Sequence, residues 1–185
     1  MSIRIETPLT PEVAKTLRAG DEVLISGTIY TARDAAHQRM IECLDRGETL
    51  PFPIRDAIIY YAGPTPAKPG RVIGSIGPTT STRMDATTPR LIEEGLRGML
   101  GKGRRSAEVV ASMQAYGAVY FGAIGGAAAL LAQCVEAAEV VCYEDLGAEA
   151  IRRLTVRDFP ATVVIDSRGE NLYEIGMRQY LAGLE

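Results

Sequence analysis

The chain contains 185 residues, which is enough for one sizeable hydrophobic core. Hydrophobic residues make up 46% of it and charged residues 23%, so the composition excludes a disordered chain and is ordinary for a globular domain. The formal net charge is −3, from 20 basic and 23 acidic residues, and the basic residues form no stripe, which excludes the electrostatic footprint of a nucleic-acid-binding protein.

The first two predicted elements are a short helix and a strand. Residues 10–19 begin with Thr10 as a capping residue and a proline in the next position, and Gly20 follows them as a terminator. Residues 21–32, DEVLISGTIYTA, are rich in β-branched side chains and predict a strand. Gly27 lies inside that strand and indicates a bulge or the close approach of another backbone segment.

Residues 31–47 predict the second helix. Thr31 has the side chain of an N-cap residue, and Asp34 follows three residues later as in a variant of the capping box. Gly47 is expected to end the helix. Side chains three to four residues apart share one face of a helix. On this helix they are Arg33, His37, Met40 and Leu44.

The middle of the chain predicts two strands and a helix. Residues 56–63 and 71–77 are apolar, strand-like runs joined by a connector rich in proline and glycine. A run of hydroxyl residues follows them. Residues 88–100 then predict a helix with Pro89 in its first turn. The basic turn GKGRRS separates this helix from the next one.

The last part of the chain predicts helices and strands in alternation. Ser106 is suited to cap a helix over residues 107–116. Residues 118–121 predict a buried strand, which a glycine turn connects to a buried helix over residues 127–135. The remaining predicted strands cover residues 139–144, 161–167 and, as a short final strand, 168–173. Because this alternation lacks a strict βαβ rhythm, we expect one mixed α/β domain over residues 1–185.

Residues 115–135 carry no charged side chain and are numerous enough to be compared with a membrane span. Glycines interrupt the middle of this stretch, so the strand, turn and helix described above explain it better. The N-terminus lacks the apolar core of a signal peptide. The chain has three widely spaced cysteines, Cys43, Cys134 and Cys142. An odd number with this spacing favours a reducing compartment over a disulfide framework. We expect a cytoplasmic protein that neither spans a membrane nor binds nucleic acid.

The segment GPTTSTRMD, residues 77–85, is the first candidate binding site. A loop that leaves a strand directs successive backbone N–H groups at one point, and hydroxyl side chains add further donors. Arg83 adds a planar guanidinium that matches the geometry of a carboxylate. The alternative is a solvated turn whose hydroxyls cap a helix, and composition alone leaves both interpretations open. The hydroxyl residues are Thr79, Thr80, Ser81 and Thr82.

Three further residues are candidate ligands of an anion. Arg33 lies in the first turn of its helix, where a bound anion would offset the unfavourable placement of a cation, although a solvated arginine explains it as well. His37, the only histidine, shares a face with Arg33 and is a candidate donor, acid or base, or else a structural residue. Lys102 lies between two glycines that let the backbone approach a ligand, whereas Arg104 and Arg105 are expected to be solvated.

Other catalytic patterns are missing from the sequence. Neither G-x-G-x-x-G nor a P-loop pattern surrounds Gly125, and we interpret the glycines there as packing residues. The cysteine spacing fits no zinc or iron–sulfur pattern, and no Cys–His or Ser–His–Asp arrangement is recognisable. Threonine hydroxyls are poor bases unless their pKa is lowered. The chain therefore offers carboxylate ligands without a strong catalyst, which indicates half of an active site.

Three motifs in the order SGTIYTARDAAHQRM, GPTTSTRMD and GKG strongly resemble the β subunit of two-subunit class I fumarases and L(+)-tartrate dehydratases. The same region is the C-terminal domain of single-chain members, and the resemblance covers nearly the whole chain. It implies an iron–sulfur-dependent hydro-lyase with a swivelling β/β/α fold. It also implies a hetero-oligomer, α2β2, whose cysteine-bearing α subunit holds a 4Fe-4S cluster, with one iron as Lewis acid on the substrate hydroxyl. This chain itself would then bind no metal.

The resemblance implies roles for individual residues, motif by motif. Arg33 and Arg83 would hold the carboxylates of the substrate, with Lys102 assisting. Thr79 matches the position of the base that removes the proton beside a carboxylate, and Thr80 takes this role if the register shifts by one residue. Arginines and a lysine in these positions would stabilise the dianion that forms when the proton leaves. The implied reaction is the reversible dehydration of (S)-malate to fumarate.

His37 matches the histidine of the first motif and is a further candidate catalytic residue.

L(+)-tartrate dehydratase is the close alternative activity, because these motifs occur in both enzymes and few side-chain changes accommodate the extra hydroxyl of tartrate. A non-catalytic assembly or regulatory module, and a swivelling phosphocarrier that uses His37, are alternatives from other classes. A neighbouring gene for a cysteine-bearing α subunit would favour the hydro-lyase.

Overall fold

A single mixed sheet organises the computed structural model, which describes residues 2–124 and 126–182. Its strands are β1 (Ile3–Glu6), β2 (Glu22–Thr31), β3 (Ile58–Tyr60), β4 (Gly98–Gly101), β5 (Val119–Gly122), β6 (Val135–Cys142) and β7 (Ile151–Ile165). The helices are α1 (Pro11–Thr16), α2 (Asp34–Asp45), α3 (Thr88–Glu93), α4 (Ala107–Tyr116), α5 (Ala128–Gln133) and α6 (Leu172–Ala182). Two short 3-10 turns cover Ser81–Met84 and Glu144–Glu149. The expected mixed α/β architecture is confirmed.

Five of the strands close into a ring. Strands β2, β3, β4 and β5 are parallel neighbours in that order. Strand β7 pairs antiparallel with β5 at one end of this group and with β2 at the other. Strand β1 lies parallel to β2, and β6 lies antiparallel to β7, both as additions to the ring. Because β2 to β5 are parallel, their carboxyl ends meet at one rim of the ring.

The ring is buried on both of its faces. Along β3, Ile58 and Tyr60 belong to one hydrophobic cluster, whereas Ile59 and Tyr61 belong to a second cluster that contains residues of the helices. Successive side chains of a strand point to opposite faces, so each face of β3 has its own core. A strand that is covered on both faces shows a continuous apolar run instead of an alternating pattern. This explains the uninterrupted apolar residues of β3.

Gly27 lies where the expected bulge occurs. The register between β2 and β7 shifts at this residue. Its φ is +102°, and a Cβ at this position would overlap the side chain of Thr7. The prediction of a bulge or a close backbone approach is therefore confirmed in both of its parts.

Residues 71–77 form no strand, contrary to the sequence-based expectation. Strand β3 is paired with β2 on one edge and with β4 on the other, so it offers no free edge to this segment. The segment instead folds back, with Thr65 N–H donating to the carbonyl oxygen of Ser75 at 3.0 Å. Its apolar residues Ile73 and Ile76 pack into the first hydrophobic cluster. The apolar pattern of residues 71–77 therefore reflects burial in the core and not pairing within the sheet.

The helix expected over residues 88–100 is two elements. Helix α3 ends at Glu93, and Gly95 has a φ of +108°. Gly95 N–H donates to the carbonyl oxygen of Ile92, and Leu96 N–H donates to that of Leu91. These two bonds are a Schellman motif, which terminates a helix at a glycine. The remaining residues then form β4.

Two helix starts also differ from expectation. Helix α2 begins after Arg33, which is its N-cap residue without a side-chain cap, whereas the Thr31 hydroxyl accepts a hydrogen bond from Arg152 N–H at 3.2 Å. The short strand expected over residues 168–173 is replaced by the start of α6. There the side-chain oxygen of Asn171 accepts from Tyr173 N–H at 3.1 Å, which is an N-cap bond.

The predicted N-cap residues of α1 and α4 are confirmed. Thr10 caps α1, although this helix ends at Thr16 instead of residue 19, and Ser106 caps α4 through Val109 N–H at 3.4 Å. The stretch 115–135 contains the end of α4, then β5 and α5, while Gly125 lies outside the described residues. None of the helices that the structure describes is long and apolar enough to cross a membrane.

Candidate functional site

The candidate site lies at the rim where the parallel strands end. In register, Thr31 at the end of β2 is the partner of Tyr60 in β3, and Tyr60 is the partner of Leu100 in β4. Arg33 follows β2 by two residues, and Lys102 follows β4 directly. Carboxyl ends of parallel strands are where α/β proteins bind ligands, because the loops that leave them converge there.

The hydroxyl loop is fixed to this rim by its backbone. Thr79 N–H donates to the carbonyl oxygen of Tyr61 at 2.7 Å, just beyond the end of β3. Ser81 N–H donates to the carbonyl oxygen of Lys102 at 2.9 Å, and Thr80 forms a parallel bridge with Lys102. The loop therefore lies across the ends of β3 and β4.

The hydroxyl groups of this loop differ in exposure. Ser81 is buried, and its Oγ lies 2.9 Å from the hydroxyl oxygen of Tyr120. Thr79 is partly exposed, and Thr80 and Thr82 are exposed. Ser81 thus anchors the loop, while the three threonines keep exposed surface.

Arg33 and Arg83 meet at one carboxylate, that of Asp34. Arg83 donates from Nε to Oδ1 of Asp34 at 2.7 Å, and Nη2 of Arg33 lies 3.6 Å from Oδ2 of the same side chain. The Arg83 side chain is 51% exposed. Two guanidinium groups from separate sequence motifs are thereby held close together, as a ligand with two carboxylates requires.

Within the described residues, the Arg33 side chain makes no hydrogen bond and is attracted by two more distant carboxylates. Its Nη2 lies 3.6 Å from Asp34 and 3.7 Å from Oε1 of Glu149, both longer than a hydrogen bond. Its Nε is buried and has no hydrogen-bond partner among residues 2–124 and 126–182. A Cβ at Gly63 would come within 3.3 Å of this side chain, so the glycine leaves room for it. The guanidinium therefore retains unused donors beside the rim.

The N-terminus of α2 is supplied with negative charge by Glu149. Its Oε2 accepts a hydrogen bond from Ala35 N–H at 2.8 Å, and its Oε1 is the distant partner of Arg33. Carboxylates are favourable at a helix N-terminus, where backbone N–H groups lack partners within the helix. The sequence-based argument assigned an anion to this helix end, and in the structure a carboxylate of the chain itself occupies it.

His37 lies behind Arg33, in the core. Its side chain is fully buried, its Nδ1 is 2.9 Å from the carbonyl oxygen of Arg33, and the edge of its ring faces Tyr61 at 5.3 Å between centroids. Because the carbonyl oxygen only accepts, Nδ1 carries the proton and donates it. Burial lowers the pKa of His37 to about 4. The imidazole is thus neutral near pH 7 and touches the backbone of Arg33.

Lys102 and Arg104 are exposed, but Arg105 is buried, contrary to expectation. Nε of Arg105 donates to Oδ1 of Asp85 at 2.7 Å, and the guanidinium also lies 5.2 Å from the ring centroid of Tyr61. A buried charge of this kind persists only when it is paired and hydrogen-bonded. The glycine-flanked turn GKGRRS is typical of solvated loops, and nothing local in it identifies the distant acidic partner.

The structure thus brings together Arg33, Arg83, Thr79, Thr80 and Lys102 at one rim. His37 is adjacent to them through Arg33 but is covered by protein. Sequence reasoning missed three acidic residues that organise the arginines. Asp34 was interpreted only as a capping residue, and no sequence signal marks the other two. They are Asp34, Asp85 and Glu149.

The cysteines of the chain do not fit an iron–sulfur cluster. Cys43 lies in α2, Cys134 directly after α5, and Cys142 at the end of β6. Burial raises the pKa of each thiol, to about 11 for Cys142, which opposes the thiolate form that a cluster requires. In the part of the chain that the structure describes, no group of three His, Cys, Asp or Glu side chains is arranged to hold a metal ion.

Comparisons with known proteins identify the family of the chain. A family described as the fumarase C-terminus matches residues 1–176. A protein of Methanocaldococcus jannaschii, provisionally named L(+)-tartrate dehydratase subunit beta, is 42% identical over 90% of this chain and 88% of its own length. Aerobic class I fumarate hydratase of Salmonella typhimurium is 44% identical over 81% of this chain. Mitochondrial fumarate hydratase 1 of Leishmania major is 40% identical over 93%.

The two fumarate hydratases are much longer than the matched region. The chain covers 26% of the Salmonella typhimurium protein and 32% of the Leishmania major protein. It therefore corresponds to one part of those enzymes, and to nearly the whole of the beta subunit. The chain belongs to the fumarase C-terminus family.

The titration of His37 tests its burial. Because this is the only histidine, one imidazole resonance in proton NMR reports it, and we expect an apparent pKa of about 4. A depressed pKa in the folded state means that stability is lost as the pH falls from 6.5 towards 4. The free energy of unfolding should fall by about 3 kcal/mol more in the wild type than in His37→Gln over this range. A resonance that titrates near 6.5 would contradict this placement.

Proposed function

We propose that the chain is the β subunit of an iron–sulfur hydro-lyase that interconverts (S)-malate and fumarate. The observation that carries the proposal is the convergence of Arg33 and Arg83 on Asp34, beside the hydroxyl loop. Two guanidinium groups at one rim fit a substrate with two carboxylates, since each provides a planar pair of donors. Membership of the fumarase C-terminus family supports the same activity.

Arg33 is proposed to bind one carboxylate. Its side chain is 21% exposed, and its terminal nitrogens make no hydrogen bond within the described residues, so they can donate to a carboxylate in bidentate geometry. Arg83, whose Nε is engaged by Asp34 while half of the side chain is exposed, is proposed to bind the other carboxylate through its terminal nitrogens. Lys102, exposed beside Thr80, adds a third positive charge.

Thr79 is proposed to remove the proton next to the carboxylate. Its backbone is fixed to Tyr61, and its side chain is partly exposed at the rim. Loss of this proton converts the adjacent carboxylate into an aci-carboxylate with a second negative charge, which nearby arginines and a lysine stabilise electrostatically. Such cations also favour the deprotonated form of a hydroxyl. Thr80 is the alternative base, because it is exposed one residue further along the same loop.

His37 is proposed to act through Arg33 instead of touching the substrate. Its Nδ1–H bond holds the carbonyl group of Arg33, which is the N-cap residue of α2. A neutral, buried imidazole in this place fixes where the arginine side chain leaves the backbone. This refines the catalytic assignment of the sequence into a positioning role.

The iron–sulfur cluster is proposed to belong to a cysteine-bearing α subunit. The thiols of this chain do not fit as cluster ligands, and the beta-subunit relative is matched over nearly its full length. We propose an α2β2 assembly in which residues 1–185 act as one swivelling β/β/α domain. Residues 1, 125 and 183–185 of that domain lie outside the described structure.

Dehydration of L(+)-tartrate is the second candidate activity. It is favoured by the Methanocaldococcus jannaschii relative, a provisionally named tartrate dehydratase subunit that the chain covers to 88%. Tartrate and malate share the two carboxylates that Arg33 and Arg83 are proposed to bind. The rim residues therefore serve either substrate, and the assay below separates the two.

Co-expression with the candidate α subunit tests the function. The anaerobically purified complex should hydrate fumarate, dehydrate (S)-malate and show iron–sulfur absorbance, whereas this chain alone should show neither activity nor that absorbance. Turnover is measured on malate, fumarate and L(+)-tartrate in parallel. Robust activity of the isolated chain would overturn the half-site argument, and a complex that is inactive on all three acids would overturn the function.

Arg83→Ala should lower kcat/KM of the complex by well over tenfold, because a charge-assisted contact to a carboxylate is lost. The fold should persist, since Arg83 is half exposed and its ion pair with Asp34 is a surface pair. Arg104→Ala is the matched control: it removes an exposed arginine from the neighbouring basic turn and should leave turnover unchanged. Near-normal turnover of Arg83→Ala would remove Arg83 from the site.

Thr79→Val and Thr80→Val distinguish the two candidate bases. Valine keeps the shape of threonine and removes only the hydroxyl, so the loop should remain in place. If Thr79 is the base, its variant should lose roughly 100-fold or more in kcat, with the Thr80 variant affected mainly in KM. The reverse order would assign the proton transfer to Thr80, and full kcat in both variants would exclude a threonine base.

A further inference from the structure

We propose that Arg105 is a positioning residue that holds the hydroxyl loop and the Lys102 loop in the arrangement that binds a dicarboxylate. This inference rests on the proposed function and extends it to a residue that does not touch the substrate. The Arg105 side chain has no exposed surface, so its charge is unavailable to a ligand at the rim. Its effect on binding must pass through the groups that it contacts.

Arg105 uses its whole guanidinium within the protein. Nε donates to Asp85 at 2.7 Å, Nη2 donates to the Thr88 hydroxyl at 2.9 Å, and Nη1 lies 3.3 Å from the Tyr61 hydroxyl. The group also lies over two aromatic rings, 5.2 Å from the centroid of Tyr61 and 5.1 Å from that of Tyr120. Such cation–π contacts strengthen when they are removed from water.

The two tyrosines under Arg105 are the anchors of the site loops. Tyr61 accepts the backbone N–H of Thr79 at its carbonyl oxygen, 2.7 Å away. The hydroxyl of Tyr120 lies 2.9 Å from Oγ of Ser81 and donates to the carbonyl oxygen of Gly103 at 2.9 Å. One guanidinium therefore packs on the ring of Tyr120, whose hydroxyl ties Ser81 and Gly103 to the rim, and on the ring of Tyr61, whose backbone carbonyl holds Thr79.

Asp85 extends the same network to the following helix. Its Oδ1 accepts from Arg105, and its Oδ2 accepts from Ser106 N–H at 2.7 Å. Asp85 lies two residues after Arg83, directly after the 3-10 turn. Through this carboxylate, Arg105 also determines where the turn that carries Arg83 ends.

Stability alone does not require an arginine in this place. Replacing a buried ion pair by apolar residues of similar volume is often neutral or stabilising, because both charges lose their hydration in the folded state. A planar group with several fixed donors instead specifies geometry, since Asp85, Thr88 and both rings must take fixed directions around it. Lysine provides the charge without this planar arrangement.

The test compares Arg105→Lys and Arg105→Met with the same substitutions at the exposed neighbour Arg104. Hydrogen–deuterium exchange of the isolated chain reports the amides of Thr79 and Ser81. Steady-state kinetics of the reconstituted complex, far below its unfolding temperature, report KM and kcat. Asp85→Asn is the second route if Arg105→Met does not fold, because it keeps the size of the partner and removes its charge.

In folded Arg105 variants, we expect the Thr79 and Ser81 amides to exchange roughly tenfold faster or more, with the amides of β2 unchanged. KM for the diacid should rise by roughly tenfold, and this rise should be larger than the fall in kcat. The KM of Arg105→Lys should lie between those of the wild type and of Arg105→Met. The Arg104 variants should match the wild type. Wild-type exchange and KM in the folded variants, or a uniform acceleration of exchange over the whole chain, would overturn the inference. If the wild-type complex lacks activity on every diacid, the proposed function fails, while local exchange still decides whether Arg105 holds the loops.

Discussion

Two backbone hydrogen bonds attach the hydroxyl loop of the candidate site to the sheet. Thr79 N–H donates to the carbonyl oxygen of Tyr61, and Ser81 N–H donates to that of Lys102. They continue the hydrogen bonding of β3 and β4 beyond the last strand residues. Both strands are interior members of a closed ring, paired on each edge, so their ends cannot shift independently. The loop therefore acquires the rigidity of the ring, which is what a site on a loop otherwise lacks.

Three arginines near the rim are matched with acidic residues. Arg83 has Asp34, Arg33 has Asp34 and Glu149, and the buried Arg105 has Asp85. The positive charge for the proposed dicarboxylate is thus assembled without a large unbalanced field. The pairs differ in tightness, and the loosest one is at Arg33, where both distances exceed a hydrogen bond. Arg83 and Arg105 both lie 2.7 Å from their carboxylates, and exposure is what distinguishes them, since the Arg83 side chain is 51% exposed and that of Arg105 is 0% exposed.

Local patterns predicted much of this structure. Thr10 and Ser106 located the starts of α1 and α4, and Gly47 located the end of α2. Errors arose where distant partners decide the outcome. Residues 71–77 have the composition of a strand, but β3 had no free edge to offer. Arg105 looked solvated because its acidic partner lies twenty residues earlier, at Asp85. Neither fact is present in any short window of sequence.

The buried position of His37 has a consequence for the pH dependence of the proposed activity. The only imidazole of the chain stays neutral down to acidic pH, and burial raises the pKa of all three thiols. These are the side chains that usually change charge near neutrality. A bell-shaped activity profile centred near neutral pH would consequently report the substrate, the proposed partner subunit or the rim hydroxyls, and not His37 or the three thiols.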